Sequence, residues 1–196
     1  TASESPAPGG GSISAYVGSL GISLATMVAN LSSHKKGWDT RWEEFSNWAE
    51  KGQKIKDELT KLVDLDTAAF NKIMSAFSLP KGTDEEKAAR KQAIQDATKF
   101  AIEVPFKVMQ LSYDSLEIIK AMAEIGNPNS VSDAGVGALC ARSSVMGAFM
   151  NVRINASGYD DKTFVNDIIA KGKEIENKTI ALEAEILKVV NEKIGM

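Results

Sequence analysis

The segment from Ser5 to Ser33 contains no charged residue, although charged residues make up 25% of the 196-residue chain. A membrane-spanning helix needs about 20 apolar residues, so the length alone would allow a span. Polar side chains are spread through the segment, however, and neither a second span nor an aromatic belt accompanies it. They are Ser12, Ser14, Ser19, Ser23, Thr26 and Asn30. We therefore predict a helix buried at the centre of a soluble bundle, where every side contacts protein, and no membrane partner.

Small residues recur at helical spacing within the same segment. Gly11, Ala15, Ser19 and Ser23 lie four positions apart and so share one face of a helix. A face of small side chains lets a neighbouring backbone come close. The sequence therefore predicts that this helix packs tightly against another one.

Helical periodicity continues through the rest of the chain, and no convincing strand pattern or internal repeat interrupts it. The Pro/Gly-rich residues 1–11 are predicted to form an opening loop, with Ser12 as the N-cap of the first helix. Thr83 and Glu86 form the capping-box pattern of the third helix, which Pro105 is expected to bend. The predicted fold is all-α, a bundle of about five long helices. The helices are predicted over about 12–33, 38–78, 83–125, 132–156 and 160–194.

The composition is that of an ordinary globular protein, with 43% hydrophobic residues and a formal net charge of −3. We assign residues 1–196 to one domain and expect a truncated N-terminus, because Thr1 is not an initiator methionine. A nucleic-acid-binding protein would need a basic face, so no nucleic-acid partner is expected. With one cysteine and no secretory segment, a cytoplasmic location is expected. The lone His34 and Cys140 predict neither a metal site nor a catalytic pair.

Asp66 interrupts an apolar stripe on the second predicted helix. At about 100° per residue, that stripe contains Leu59, Leu62, Ala69, Phe70, Ile73 and Phe77. Its neighbour Asp64 lies on a different, polar face that is predicted to be solvated. A carboxylate on an apolar stripe is costly unless it is paired, hydrogen-bonded or protonated. Two interpretations stay open: a buried aspartate that bonds to a hydroxyl or amide of another helix, or a proton-transfer group in a desolvated site.

The fourth predicted helix carries a small and polar face. Amides on such a face can bind a heteroaromatic ring, but the spacing alone favours a tight helix–helix seam. The face consists of Asp133, Gly137, Cys140, Ser144, Gly147, Asn151 and Asn155. The run Gly9–Ser12 also allows two interpretations, because it could bind an anion at a helix N-terminus or simply cap that helix.

Five segments carry a resemblance to a known family. They are Pro6–Ser12, Met27–Leu31, Leu62–Phe70, Ser132–Asp133 and Asn151–Asn155. Together, in the same order and over nearly the whole chain, they resemble the cyclodeaminase/cyclohydrolase family of tetrahydrofolate enzymes. The resemblance implies an all-helical homodimer with a folate substrate. In some members the domain is fused to a formiminotransferase domain and works in histidine degradation.

The resemblance also implies a reaction and a site. The reaction converts 5-formimino-tetrahydrofolate into 5,10-methenyl-tetrahydrofolate and ammonia, with Asp66 as the catalytic proton shuttle, no metal and no cofactor beyond the folate. The implied folate-binding residues are Gly10, Ser12, Asp133, Asn151 and Asn155. The alternatives are a methenyl-tetrahydrofolate cyclohydrolase that uses the same pocket, and a non-catalytic helical domain for folate binding or assembly.

Folates carry glutamate carboxylates, so a cation near the mouth of the pocket should aid binding. Lys35 and Lys36 follow the first predicted helix and are candidates for that contact. Cations at a helix C-terminus are equally typical of a solvated helix end.

Overall fold

The computed structural model describes residues 1–195, and within that range it contains five long α-helices and no β-strand. The helices are α1 Gly10–Ser33, α2 Trp42–Phe77, α3 Asp84–Ile125, α4 Val131–Ala156 and α5 Lys162–Ile194. Short 3-10 turns, Asp39–Arg41 and Pro128–Ser130, precede α2 and α4. The prediction of an all-α bundle of five long helices is confirmed.

Helix α1 lies at the centre of the bundle, where it contacts α2, α3 and α4. Its length and mean hydropathy of 1.5 would suit a membrane span, yet 61% of that stretch is buried against the other helices. Most of its serine and threonine hydroxyl groups bond to carbonyls of the preceding turn, as in the 2.8 Å bond from Thr26 Oγ1 to the Ile22 oxygen. These hydroxyl groups therefore need no water, and the helix can be buried in protein.

Helices α1 and α4 run antiparallel and meet at glycines. A Cβ added to Gly18 would lie 2.6 Å from Ser112 Oγ on α3 and 2.7 Å from Ser144 Oγ on α4, so α1 packs too closely on both helices to leave room for a side chain there. At the same place Ser144 Oγ donates to the Ser14 carbonyl over 2.7 Å. The predicted small-residue face of α1 begins at Gly11, which instead touches Asp66 on α2. Small residues thus bring α1 close to two neighbours.

The predicted boundaries agree with the structure at most helix ends and differ at two. The Thr83 capping box is present, and Asp161 caps α5. Helix α1 begins at Gly10, however, so the opening loop is 1–9 rather than 1–11, and Ser12 is not an N-cap. The reason is tertiary, because the Ser12 hydroxyl bonds to Asp66 on α2 and not to its own backbone. Helix α2 begins at Trp42 rather than Trp38, after the 3-10 turn.

Gly18→Ala is expected to lower the free energy of unfolding by about 1–3 kcal/mol, the usual cost of forcing a methyl group into a packed core. The added Cβ would press on two buried hydroxyls and disturb their hydrogen bonds. Gly158→Ala is the matched control, because its Cβ would meet nothing closer than 3.9 Å. Urea denaturation followed by circular dichroism measures both variants. Equal stability of the two proteins would contradict the prediction.

Candidate active site

A cleft of about 180 Å³ opens at the N-terminal end of α1. Its walls come from the loop before α1, the middle of α2, one residue of α3 and the last turns of α4. The lining residues are Pro6, Ala7, Gly9, Gly10, Gly11, Asp66, Ala69, Phe70, Ile73, Ala101, Asn151 and Asn155. Four segments that are far apart in the sequence therefore meet at one concave site.

Asp66 is the ionisable residue of this cleft. Ser12 Oγ donates to Asp66 Oδ2 over 2.8 Å and lies 3.3 Å from Thr67 Oγ1. The side chain of Asp66 is half-buried, and no lysine or arginine lies within 4 Å of it in the described chain. A hydroxyl orients the carboxylate, and no salt bridge neutralises it. Asp66 bonds to a hydroxyl of another helix, as the first interpretation of the apolar stripe predicts, and it also lines the cleft, which leaves the second interpretation open.

Gly11 sets the position of the Asp66 carboxylate. A Cβ at Gly11 would overlap the carboxylate, at 2.6 Å from Cγ and 2.7 Å from Oδ2. Any larger residue would therefore push Asp66 away from Ser12 or move α1 away from α2. The sequence interpretation named Gly10 and Ser12 but missed Gly11 and Thr67. The Gly9–Ser12 run could have pointed to Gly11 as a site residue. Its contact with Asp66, however, exists only in the folded chain.

Asn155 is fixed by a proline. Pro105 lies inside α3 and has no N–H to donate to the carbonyl of Ala101, four residues earlier. Asn155 Nδ2 supplies the missing donor over 2.7 Å, and the helix continues without a break. Asn151, one turn earlier on α4, donates from Nδ2 to the Gly147 carbonyl over 2.9 Å.

These bonds decide what the two amides can offer to a ligand. Each Nδ2 uses one of its hydrogens in a bond to a backbone carbonyl, so each amide can still offer its side-chain oxygen as an acceptor and its second N–H as a donor. Phe70 and Ile73 add an apolar wall to the same cleft. The site thus combines one oriented carboxylate, two acceptors for N–H groups and a surface for a flat ring.

The structure does not bring every predicted site residue to the cleft. Asp133 is eighteen residues before Asn151 on α4, about 27 Å along the helix at 1.5 Å per residue. Lys35 and Lys36 follow the opposite end of α1, about 35 Å from Ser12 by the same measure. Lys35 Nζ instead lies 4.1 Å from the ring centre of Trp38. These three residues are therefore remote from Asp66, whereas Gly10, Ser12, Asn151 and Asn155 lie around it.

Comparison with known proteins shows similarity along the whole chain. A family model described as formiminotransferase-cyclodeaminase matches residues 1–174. A methenyltetrahydrofolate cyclohydrolase of Methylorubrum extorquens is 36% identical over 194 residues, which cover 99% of this chain and 93% of that protein. The formimidoyltransferase-cyclodeaminase of Gallus gallus is 37% identical over 161 residues, covering 82% of this chain but only 30% of the longer protein.

The fold is also similar to a solved structure. The crystal structure of formiminotetrahydrofolate cyclodeaminase from Thermotoga maritima matches with a TM-score of 0.86 and 28% sequence identity. The match covers 98% of this chain and 92% of that one. The similarity therefore includes every helix that contributes to the cleft.

Asn155→Ala is expected to lower the free energy of unfolding by about 1–3 kcal/mol, because it leaves the Ala101 carbonyl without a donor. In a Pro105→Ala background the new N–H can bond to that carbonyl, so the same change should cost less. Asn151→Ala is the control, since its amide bonds only to a carbonyl of its own helix. Urea denaturation of the four proteins of this cycle measures the coupling. An equal cost of Asn155→Ala in both backgrounds would show that the bond does not compensate for the proline.

Proposed function

The chain belongs to the formiminotransferase-cyclodeaminase family, and we propose that it converts 5-formimino-tetrahydrofolate into 5,10-methenyl-tetrahydrofolate and ammonia. The observation that carries this proposal is the Asp66 carboxylate, which Ser12 orients in a cleft between four helices. The likeness to the T. maritima cyclodeaminase supports the same reaction. Such a reaction needs a carrier for one proton and a site that holds two nitrogens of the same substrate near one carbon.

The proposed mechanism starts from the protonated formimino group on N5. N10 attacks the formimino carbon and forms a C–N bond, which gives a tetrahedral carbon with three nitrogen substituents. Asp66 accepts the N10 proton and then donates it to the amino group on that carbon. The C–N bond to this group breaks, ammonia leaves, and the positive charge of the substrate remains on the methenyl product. One carboxylate thus serves as general base and then as general acid.

The other residues of the cleft position the substrate in this proposal. Ser12 holds one oxygen of Asp66, so the other oxygen, beside Gly11, faces the reacting nitrogens. The side-chain oxygens of Asn151 and Asn155 accept hydrogen bonds from N–H groups of the pterin ring, whose flat surface packs on Phe70. Holding N10 next to the formimino carbon lowers the entropic part of the barrier. The proposed step uses no metal and no cofactor beyond the folate itself.

A methenyl-tetrahydrofolate cyclohydrolase is the second candidate. The relative from M. extorquens is named for that activity, and its similarity extends over nearly the full length of both chains. In this reaction water adds to the same carbon, and the carboxylate accepts a proton from the water. The carboxylate then returns this proton to N5 as the C–N5 bond breaks, and the hydroxyl proton is released to solvent as the carbonyl of the 10-formyl product forms. Because the reacting carbon is the same, one cleft would suit either reaction.

Asp66→Asn is expected to lower turnover by roughly 10²–10⁴-fold, the usual contribution of one general acid–base group. Asparagine keeps the shape and can still accept the Ser12 hydrogen bond, but it cannot carry a proton. The Michaelis constant should change far less, because the lost interaction belongs to the transition state. Two assays are run side by side, ammonia release from formimino-tetrahydrofolate and hydrolysis of methenyl-tetrahydrofolate.

Asp64→Asn is the matched control, because Asp64 is exposed on α2 two residues away. It should turn over at nearly the wild-type rate. Ammonia release by the wild-type protein supports the cyclodeaminase, and hydrolysis alone supports the cyclohydrolase. Turnover of neither substrate would leave the non-catalytic folate-binding domain, and wild-type activity of Asp66→Asn would exclude this carboxylate as the proton carrier.

The proposed enzyme works as a homodimer. Helices α1 and α4 carry large apolar side chains that are 37% to 70% exposed, and we call this surface the α1–α4 face. Its residues are Ile13, Tyr16, Leu20, Met27, Leu31, Val136, Leu139, Met150 and Ile154. On both helices this stripe lies about 110° in the same sense from the shared antiparallel seam, so both stripes face one side. A continuous apolar face of this kind is typical of a protein–protein interface.

A second copy of the chain on this face would also affect the cleft. Ile13 adjoins Ser12, and Ile154 adjoins Asn155, so the α1–α4 face reaches the edge of the cleft. Pairing there would reduce the access of water to the half-buried Asp66. In such a pair the Asp133 of one copy could contact the folate bound to the other, since the Asp133 of the same subunit is about 27 Å along α4 from Asn151. In the bifunctional relatives a formiminotransferase domain accompanies this domain, and a partner of that kind is part of the proposal.

Leu20→Glu and Leu139→Glu are each expected to convert the dimer into a monomer at micromolar concentration. The new charge would have to be buried in the centre of the α1–α4 face. Ile194→Glu is the control, because Ile194 is 47% exposed at the end of α5, away from that face. Light scattering measures the mass of each protein. A wild-type monomer, or variants that remain dimeric, would contradict the proposed interface.

A further inference from the structure

The hydroxyl group of Thr67 contacts the site without lining the cleft. Thr67 follows Asp66 on α2 and is partly buried, and its Oγ1 lies 3.3 Å from Ser12 Oγ. Ser12 itself is fully buried and bonds to Asp66 Oδ2 at 2.8 Å. Two neighbouring residues of α2 therefore hold one serine of α1, and the proposed reaction gives no part to the second of them.

The hydrogen bonds at Ser12 have a fixed direction. A serine hydroxyl has one hydrogen to donate and two lone pairs, whereas a carboxylate can only accept. Ser12 gives its hydrogen to Asp66, so the hydrogen between Ser12 and Thr67 must come from Thr67. The hydroxyl of Thr67 thus donates to Ser12, and Ser12 donates to Asp66.

Other threonines in the helices use their hydroxyl groups differently. Thr26, Thr60 and Thr98 each donate to the carbonyl four residues earlier, at 2.7 or 2.8 Å. Within residues 1–195, the hydroxyl of Thr67 makes no such bond, and Ser12 is its hydrogen-bond partner. A contact with another helix, and not the local bond that is common for a helical threonine, sets the orientation of this side chain.

Ser12 could also bond within its own helix, as other serines of α1 do. Ser14 Oγ donates to the Gly10 carbonyl at 2.7 Å, and Ser23 Oγ donates to the Ser19 carbonyl at 2.6 Å. If Ser12 rotated to a carbonyl in the same way, Asp66 would lose its donor and its carboxylate would be free to turn. The Thr67 hydroxyl opposes this rotation, because a rotated Ser12 Oγ would leave the position in which it accepts from Thr67.

The distance between the two hydroxyls limits the size of the effect. O–H···O bonds usually measure about 2.7–2.8 Å, so the separation of 3.3 Å indicates a weak bond. Hydrogen bonds in a chain strengthen one another by roughly 10–30%, which adds little here. Thr67 therefore contributes little to stability, and its main effect is to favour one rotamer of Ser12.

We propose that Thr67 is a positioning residue for the reaction at Asp66. Its hydroxyl holds Ser12 in the rotamer that fixes Oδ2, and it thereby keeps the other carboxylate oxygen directed into the cleft. This inference rests on the proposed function, because it takes Asp66 to be the proton carrier. Thr67 does not contact the substrate in this proposal and acts only through Ser12.

The direction of these bonds also gives the two oxygens of Asp66 different parts. A proton on Oδ2 would meet the hydrogen of Ser12, and Ser12 could turn that hydrogen to Thr67 only if Thr67 gave up its own bond. Oδ1, beside Gly11, has no such constraint. Oδ1 therefore takes the proton from N10 and returns it to the leaving amino group, while the bonds of Ser12 and Thr67 persist through the reaction.

Thr67→Val removes the hydroxyl and keeps nearly the same shape. It should lower turnover by about two- to fivefold, the lower part of the range for one hydrogen bond. The Michaelis constant should stay within about a factor of two, because Thr67 does not touch the substrate. Thr67→Ser keeps the donor and should restore most of the turnover. The measurements are ammonia release from formimino-tetrahydrofolate and hydrolysis of methenyl-tetrahydrofolate.

A double-mutant cycle with Ser12 separates positioning from packing. In a Ser12→Ala background, Thr67→Val should cause no further loss of turnover, because its hydroxyl has nothing left to hold. Thr60→Val is the matched control, since Thr60 is exposed on the same helix and bonds only to the Lys56 carbonyl. It should leave turnover and the Michaelis constant unchanged.

Three results would overturn this inference while the proposed function stands. They are wild-type turnover in Thr67→Val, the same low turnover in Thr67→Ser, and an equal further loss in the Ser12→Ala background. A wild-type protein that turns over neither folate would overturn the proposed function, and this inference with it.

Discussion

The close packing of α1 against its neighbours is the constraint on which the rest of the structure depends. At Gly11 and Gly18 a single added carbon would meet atoms of α2, α3 or α4 at less than van der Waals distance. Because α1 is held this close, Ser12 reaches Asp66, and the loop before α1 becomes one wall of the cleft. The packing that stabilises the bundle also assembles the cleft around Asp66. A change in the core and a change in the site are therefore hard to separate at these positions.

Polar groups at the site serve stability and chemistry together. Asn155 supplies the donor that Pro105 cannot supply, and the same bond fixes its amide at the edge of the cleft. Ser12 satisfies one oxygen of a half-buried carboxylate without neutralising its charge. A salt bridge would have held Asp66 more firmly, but it would have made the carboxylate a poor proton carrier. The neutral Ser12 hydroxyl fixes the position of the carboxylate and is compatible with the proposed proton transfer.

The two candidate reactions pass through closely related intermediates. In both, a tetrahedral carbon is bonded to N5 and N10, and the third substituent is nitrogen in one case and oxygen in the other. A site that positions this carbon and one carboxylate can therefore serve either reaction. This explains how relatives named for a cyclohydrolase and for cyclodeaminases can share the family of this chain. The two reactions differ in the third substituent of the tetrahedral carbon, and the shared fold does not by itself select between them.

The sequence by itself determined the approximate positions of the five helices and singled out Asp66. Periodicity, the Thr83 capping box and the charge-free first helix predicted the five-helix bundle, because such signals arise from local spacing. Asp66 stood out for the same reason, as a charge on an apolar stripe. Only the tertiary structure decided its contacts with Gly11 and Ser12, the role of Asn155 beside Pro105, and the remoteness of Asp133 and Lys35. These depend on which helices meet and at what distance, and close packing between distant segments leaves no periodic pattern in the sequence.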